Sequence, residues 1–187
     1  MAKKQLRSDF HVLLDMDGVL ANFVDHFCTW FGVPYPYDDP INKGKWDVVE
    51  LTGLSNDVVW DEINDEDFWR EIPTMPEAED IVKAILDRFH PDNVCLLSSP
   101  GRMMWAMPGK ILWIRKHFPQ FQSHFLFGSQ KQFCAHPDSV LIDDYEANVS
   151  KFELHGGQAF LVPRPWNHRY QEEPNLVQNL SRYLDSL

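Results

Sequence analysis

Cysteine is scarce in this chain. Cys28, Cys95 and Cys134 make an odd total at unrelated spacings, which argues against a disulfide framework, and each sits among apolar or aromatic neighbours as buried thiols do. A reducing, cytoplasmic setting is the expectation. Long apolar runs are absent too: no stretch approaches the roughly 20 residues that span a bilayer, and the basic start Met-Ala-Lys-Lys-Gln-Leu-Arg is followed by no uncharged apolar run of signal-peptide length before Asp15. No membrane partner is expected. Basic residues number 17 against 28 acidic ones, for a formal net charge of -11. A nucleic-acid polymer is therefore repelled on average, and an anionic partner has to be small and met by a locally basic or metal-bearing site. Internal repeats, low-complexity tracts and disordered linkers are missing as well. The eight histidines show no zinc-type spacing. Gly109-Lys110 lacks the rest of a phosphate loop, and Ser98 lacks the Gly-x-Ser-x-Gly setting of a serine hydrolase.

What is present is 187 residues with 44% hydrophobic content, enough for one α/β core and a small appended unit. Four short apolar runs, His11 to Leu14, Asn93 to Leu97, Ser139 to Ile142 and Gln158 to Val162, read as strands of a parallel sheet covered on both faces. Helical patterns separate them. Glu77 to Phe89 gathers Ile81, Val82, Ile85, Leu86 and Phe89 on one face; Lys110 to Phe118 is a weaker case closed by Pro119; a last helix follows Pro174. The alternation predicts an α/β, doubly wound parallel sheet, whose ligands bind outside the carboxyl ends of the strands. From about Pro34 to Met75 the alternation breaks in favour of Asp, Pro and Trp. That segment reads as a small, mainly helical cap (34–75) inserted in a core formed by 1–33 and 76–187, with Ser55 capping a short helix through Val58, Val59 and Ile63. Its aromatics read equally well as the cap's own small core.

The run Val12 to Leu20 places Asp15 and Asp17 two residues apart where the first strand ends, so that both project to one side, and Gly18 then lets the chain turn. Alone, such a pair is a helix cap or a solvated turn. Matching groups stand at other strand ends, however. Ser98 and Ser99, before Pro100-Gly101, offer hydroxyls and backbone N–H groups to a phosphate oxygen, although taken alone an ordinary Ser-Pro-Gly turn is the better account of them. Asp143 and Asp144 form a second acidic pair directly after an apolar strand. Carboxylates from two strand ends make an oxygen cage suited to Mg²⁺, and without a cation their crowding is unfavourable. Lys110 and Lys131 are the lysines placed to neutralise a phosphate.

These four pieces, in this order, resemble the motifs of the haloacid dehalogenase-like (HAD) hydrolase superfamily: an Asp-x-Asp-Gly, a strand-end Ser or Thr, a Lys, and an acidic pair. Asp15 to Ala21, Phe23, Ser98-Ser99-Pro100 and the Pro-Trp-Asn-His at Pro165 to His168 are similar to the 5'(3')-deoxyribonucleotidase branch, the type C 5'-nucleotidases. The resemblance implies a HAD-like Rossmannoid core and a Mg²⁺-dependent phosphomonoesterase. Asp15 would be the nucleophile and Asp17 the general acid and base. Mg²⁺ would be held by Asp15, the backbone carbonyl of Asp17, and Asp143 or Asp144. Ser98, Ser99, Lys131, Lys110 and the Gly18 turn would hold the phosphate. A nucleoside monophosphate is the implied substrate, with Phe23, Trp46, Phe68 or Trp69 against its base. A sugar phosphate stays an alternative, as does a receiver-like protein that merely accepts phosphate. A homodimer is left open.

Overall fold

The computed structural model describes residues 6–101 and 103–187. Five strands, β1 (His11–Leu14), β2 (Val94–Ser98), β3 (Phe125–Phe127), β4 (Ser139–Asp143) and β5 (Gln158–Leu161), form one parallel sheet in the order β3-β2-β1-β4-β5. The parallel direction agrees with the sequence pattern, since apolar residues at consecutive positions need cover on both faces. Val12, Leu14, Leu96, Val140 and Ile142 join one apolar cluster. Leu13, Leu97 and Leu141 point the other way, into a second.

The helices divide between these clusters. Helix α1 (Phe23–Phe31), α5 (Ala78–Leu86), α6 (Ala106–His117) and α8 (Leu176–Ser186) contribute Phe27, Ile81, Trp113 and Leu180 to the first. Helix α7 (Glu146–Leu154) supplies Val149 and Phe152 to the second. The chain thus winds outward from β1 in both directions, and the reversal point lies between β1 and β4, where Leu14 pairs with Ile142. No helix among the described residues is long and apolar enough to cross a membrane. The three cysteines are free thiols.

Between α1 and α5 lie three short helices, α2 (Val48–Thr52), α3 (Asn56–Glu62) and α4 (Glu66–Arg70), preceded by two 3-10 turns. Asp47 and Asp65 of this stretch serve as caps. Asp47 accepts from the Glu50 amide, and Asp65 accepts from the amides of Asp67 and Phe68. Ser55 does precede α3, but its side chain makes no cap bond. The segment leaves and rejoins the sheet through a short stalk: Asn22 donates to Pro73 O and Met75 donates to Leu20 O, both at 2.8 Å.

Two elements escape the apolar pattern. Strand β3 is a three-residue edge with Leu126 exposed, too short for an alternation to register. Helix α7 buries only Val149 and Phe152, so its periodicity is faint.

Candidate active site

The site stands where β1, β2 and β4 end. Asp15 continues the ladder for one more residue, its amide donating to Ile142 O at 2.9 Å. The chain then closes on itself: the amides of Leu20 and Ala21 donate to Met16 O, and the Gly18 amide donates to Ala21 O, all at 2.8 Å. Gly18 has φ +75°, and a Cβ there would lie 2.0 Å from Asp144 Oδ2. Only glycine permits both the turn and this approach of β1's end to β4's. The Gly18 N–H, expected to face a phosphate, is instead spent on the turn.

Two buried lysines organise the carboxylates. Lys131 Nζ lies 2.6 Å from Asp15 Oδ1 and 2.6 Å from Asp143 Oδ2. Lys110, from α6, donates to Asp17 Oδ2, to Ser98 Oγ at 3.0 Å and to the Ser99 carbonyl at 2.7 Å. Both ammonium groups are at most 2% exposed, so they are fixed here and not solvated. Ser99 Oγ sits 2.9 Å from Ser129 Oγ at the rim. Asp143 accepts from the Tyr145 amide at 2.8 Å and from Asn148 Nδ2. Asp144 Oδ2 accepts from Trp166 Nε1 at 2.6 Å, and Asn167 Nδ2 donates to the Asp144 carbonyl at 2.9 Å.

Among the described residues, charge is out of balance at this spot. Asp15, Asp143 and Asp144 each bring one oxygen into a group no wider than 4.8 Å, while Lys131 is the ammonium that pairs with two of them. Burial, only partly offset by Lys131 and reinforced by Asp143 and Asp17, pushes the Asp15 carboxyl up to about 7. Burial, with Asp143 and Asp15 beside it, drives Asp144 well above the usual carboxylate range. For Lys131 burial works against the charge, yet Asp15 and Asp143 outweigh it and the pKa rises. A buried, all-oxygen trio short of positive charge fits a hard divalent cation such as Mg²⁺. The Asp17 carboxylate is outside this trio and pairs with Lys110; its Oδ1 is buried and has no hydrogen-bond partner among the described residues.

Beside this floor opens a cavity of about 350 Å³ whose base includes Asp17, Gly18, Ser99, Lys110 and Asp144. Phe23, Trp46, Trp60 and Trp69 line its walls. Phe23 and Trp69 stack with ring centroids 5.7 Å apart, and the Lys110 ammonium lies 4.8 Å from the Trp69 ring centroid. Gly109 makes that approach feasible, since a Cβ there would come within 2.6 Å of Trp69 Cβ and of Glu66 O. Trp46 stacks on Tyr145 at 4.0 Å and is 46% exposed. Phe68 differs from the expectation. It is fully buried, packed against Phe23, His26, Trp30 and Trp69, and is not among the residues that line the cavity.

Trp166, Asn167 and Asn148 were not assigned any role from sequence. The Pro165 to His168 motif marked the right loop, but nothing in it indicates that Trp166 reaches a carboxylate 22 residues away.

The profile of the family described as 5' nucleotidase, deoxy (pyrimidine), cytosolic type C protein matches residues 9–179. Mouse mitochondrial 5'(3')-deoxyribonucleotidase is 32% identical over 146 residues, covering 71% of this chain and 63% of the mouse protein. The human protein of the same name is 31% identical, with 71% and 61% covered. The chain thus spans less than two thirds of the length of the curated relatives it matches. Among solved structures, a predicted phosphatase from Clostridium acetobutylicum superposes with a TM-score of 0.55 at 13% identity, covering 95% of this chain and 99% of that one. A HAD family hydrolase from Deinococcus radiodurans R1 gives 0.51 at 16% identity, with 93% and 89% covered. These share the fold. On the match over residues 9–179, the chain belongs to the 5' nucleotidase, deoxy (pyrimidine), cytosolic type C protein family.

Proposed function

We propose that the chain is a phosphomonoesterase that hydrolyses nucleoside monophosphates through an aspartyl-phosphate on Asp15. The observation that carries this reading is the meeting of Asp15, Asp17, Ser98, Lys110, Lys131 and the Asp143-Asp144 pair at three neighbouring strand ends, beside an aromatic-walled cavity. Residues 34–75 act as the cap, and 1–33 with 76–187 as the core; residues 1–5 and Arg102 lie outside the described residues.

Asp15 attacks phosphorus, forming an acyl phosphate as the ester P–O bond breaks. Asp17 gives the departing oxygen its proton, a role suited to a carboxyl whose Oδ1 has no partner among the described residues. Asp17 then takes a proton from water, which attacks phosphorus, breaks the P–O bond to Asp15 and frees inorganic phosphate. Ser98 and Lys110 hold the equatorial oxygens; Lys131 fixes Asp15 and Asp143 relative to each other. Mg²⁺, when bound, neutralises charge between the phosphate and the carboxylates. Asp15, the Asp17 carbonyl and Asp144 would hold it. Asp143 is the orienting member of its pair, because its oxygens already accept from Lys131, Tyr145 and Asn148.

The cavity favours a nucleotide over a sugar phosphate, because its aromatic lining suits a flat base better than a polyol. The test is a hydrolysis screen across ribo- and deoxyribonucleoside 5'-monophosphates, sugar phosphates and p-nitrophenyl phosphate. Steady turnover that stops in EDTA and returns with Mg²⁺, with kcat/KM highest on a nucleotide, is expected. Full activity in excess EDTA, or stoichiometric labelling without turnover, overturns the proposal.

A further inference from the structure

Arg164 is 1% exposed and one of the largest fully buried side chains. Its Nε donates to the Gly18 carbonyl at 2.5 Å, and Nη2 reaches the Val19 carbonyl at 3.4 Å. On the other side Nη1 pairs with Glu77 and lies 3.5 Å from Glu173. Two carboxylates offset the charge, so its burial is explained electrostatically. Its fork of donors is nonetheless aimed at two consecutive carbonyls of the turn that carries Asp17.

We propose that Arg164 is a positioning residue for Asp17, acting through the carbonyls of Gly18 and Val19. The inference rests on Asp17 being the general acid proposed above. The turn is braced on one side already. Gly18 abuts Asp144 so closely that no side chain fits, and its amide is held by Ala21 O. Arg164 supplies the opposite brace, through a charge-assisted bond to a neutral carbonyl. Arg164 is itself held to the strand ends, because its amide donates to Asn167 Oδ1, and Asn167 Nδ2 donates to Asp144 O and Val162 O. Glu77 adds a third anchor, standing just ahead of α5 where residues 34–75 return to the sheet. The peptide between Asp17 and the stalk is thereby pinned from both sides, which keeps Asp17 at one distance from Lys110 and from the phosphorus-bound oxygen.

Arg169 serves as the control. It is five residues along, also forms a fork with a carboxylate (Glu172, at 3.0 and 2.6 Å) and bonds a carbonyl (Leu161, 2.9 Å), but it makes no bond to the turn.

The experiment compares Arg164→Met, Arg164→Lys and Arg169→Met on two substrates, a nucleoside monophosphate with a poor leaving group and p-nitrophenyl phosphate with a good one. A misplacement of about 1 Å costs roughly a hundredfold. Arg164→Met should therefore lower kcat on the nucleotide about a hundredfold with KM little changed, and lower kcat on p-nitrophenyl phosphate much less, since that substrate needs little protonation. Arg164→Lys keeps the charge but not the fork, and should recover only part of the loss. Arg169→Met should lower Tm without that asymmetry. Amide exchange at residues 18–21 is read in parallel, independent of turnover, and should accelerate in Arg164→Met but not in Arg169→Met. Should Arg164→Met fail to fold, Arg164→Lys is read alone on both measurements. Equal losses on the two substrates, or unchanged exchange at 18–21, overturn the proposal. If the wild-type protein hydrolyses neither substrate, the parent reading has failed, and accelerated exchange still supports the brace while unchanged exchange overturns it.

Discussion

In the charged floor beside the cavity Asp15, Ser98 and Asp143 stand at strand ends and Lys131 in the 131–134 turn, each at most 7% exposed, whereas at the cavity's outer wall Trp46 is 46% exposed and lies ahead of a five-residue helix. The floor is held by ion pairs and hydrogen bonds among groups from the ends of β1, β2 and β4, from α6 and from the 131–134 turn. The wall is held by ring contacts such as Trp46 on Tyr145. A displaced floor group leaves a buried charge without its partner, which is costly; a displaced wall ring loses only packing and stacking. The proposed chemistry and selectivity would thus fall in regions held by different forces, and perturbing each should show different kinetics.

The largest effect is expected at the floor. Asp15→Asn removes the proposed nucleophile while keeping its shape, so turnover should fall by at least about a thousandfold and no phospho-enzyme should form. Rapid-quench labelling together with steady-state assay measures both. Retention of a tenth of the activity would falsify the covalent route. The same substitution bears on the comparison, because the wall is untouched and binding of a nucleotide's base should persist.

The two regions were also unequally legible from sequence. Asp15, Ser98 and Asp143 follow directly on apolar runs, and a parallel sheet puts such positions together whatever the loops do. Lys110 and Lys131 were visible only as charges in plausible places. Which carboxylate each meets depends on how α6 and the 131–134 turn pack, and that no local pattern encodes. The wall was harder. Phe68 and Trp69 are neighbours of similar character, yet a helix turns by about 100° per residue, so one faces the core and the other the cavity. Which of the two does so is set by the docking of α4 on α6, where Gly109 meets Trp69. Trp166 was unreadable for the same reason: its contact with Asp144 exists only once β5 has been laid beside β4.

A middle-sized effect separates the floor's own charge from the cation it is proposed to hold. Asp15 ordinarily titrates near 3.8 and is raised to about 7. Between those values the folded protein binds more protons than the unfolded chain, so the metal-free protein should lose stability as pH rises from about 4 to 7. Mg²⁺ has to displace those protons below that window's upper end and need not above it. The rise in Tm on adding Mg²⁺ should therefore be clearly larger at pH 8 than at pH 5. Equal shifts at the two pH values would mean that the cation binds elsewhere than at Asp15 and Asp144.

The smallest effect belongs to the wall, and it tells a nucleotide site from a general phosphate site. Trp46 stacks on Tyr145 and lines the cavity while remaining half exposed, so its removal should cost little stability. If a base rests against this ring, Trp46→Ala loses a stacking contact worth about 0.5–1.5 kcal/mol, which corresponds to roughly a two- to tenfold rise in KM. A contact made alike before and during reaction raises KM and leaves kcat alone. The matching control is a sugar phosphate, which offers no flat face and should be hydrolysed by Trp46→Ala and wild type with the same KM. Three outcomes are distinct. A higher KM on nucleotides alone places the base at the outer wall. A rise on both substrates means that Trp46 shapes the cavity without reading the base. No change on either moves the base inward, against Phe23 and Trp69, and Trp69→Ala then becomes the informative variant, at a greater cost in stability because that ring is buried and its Nε1 donates to Ile63 O.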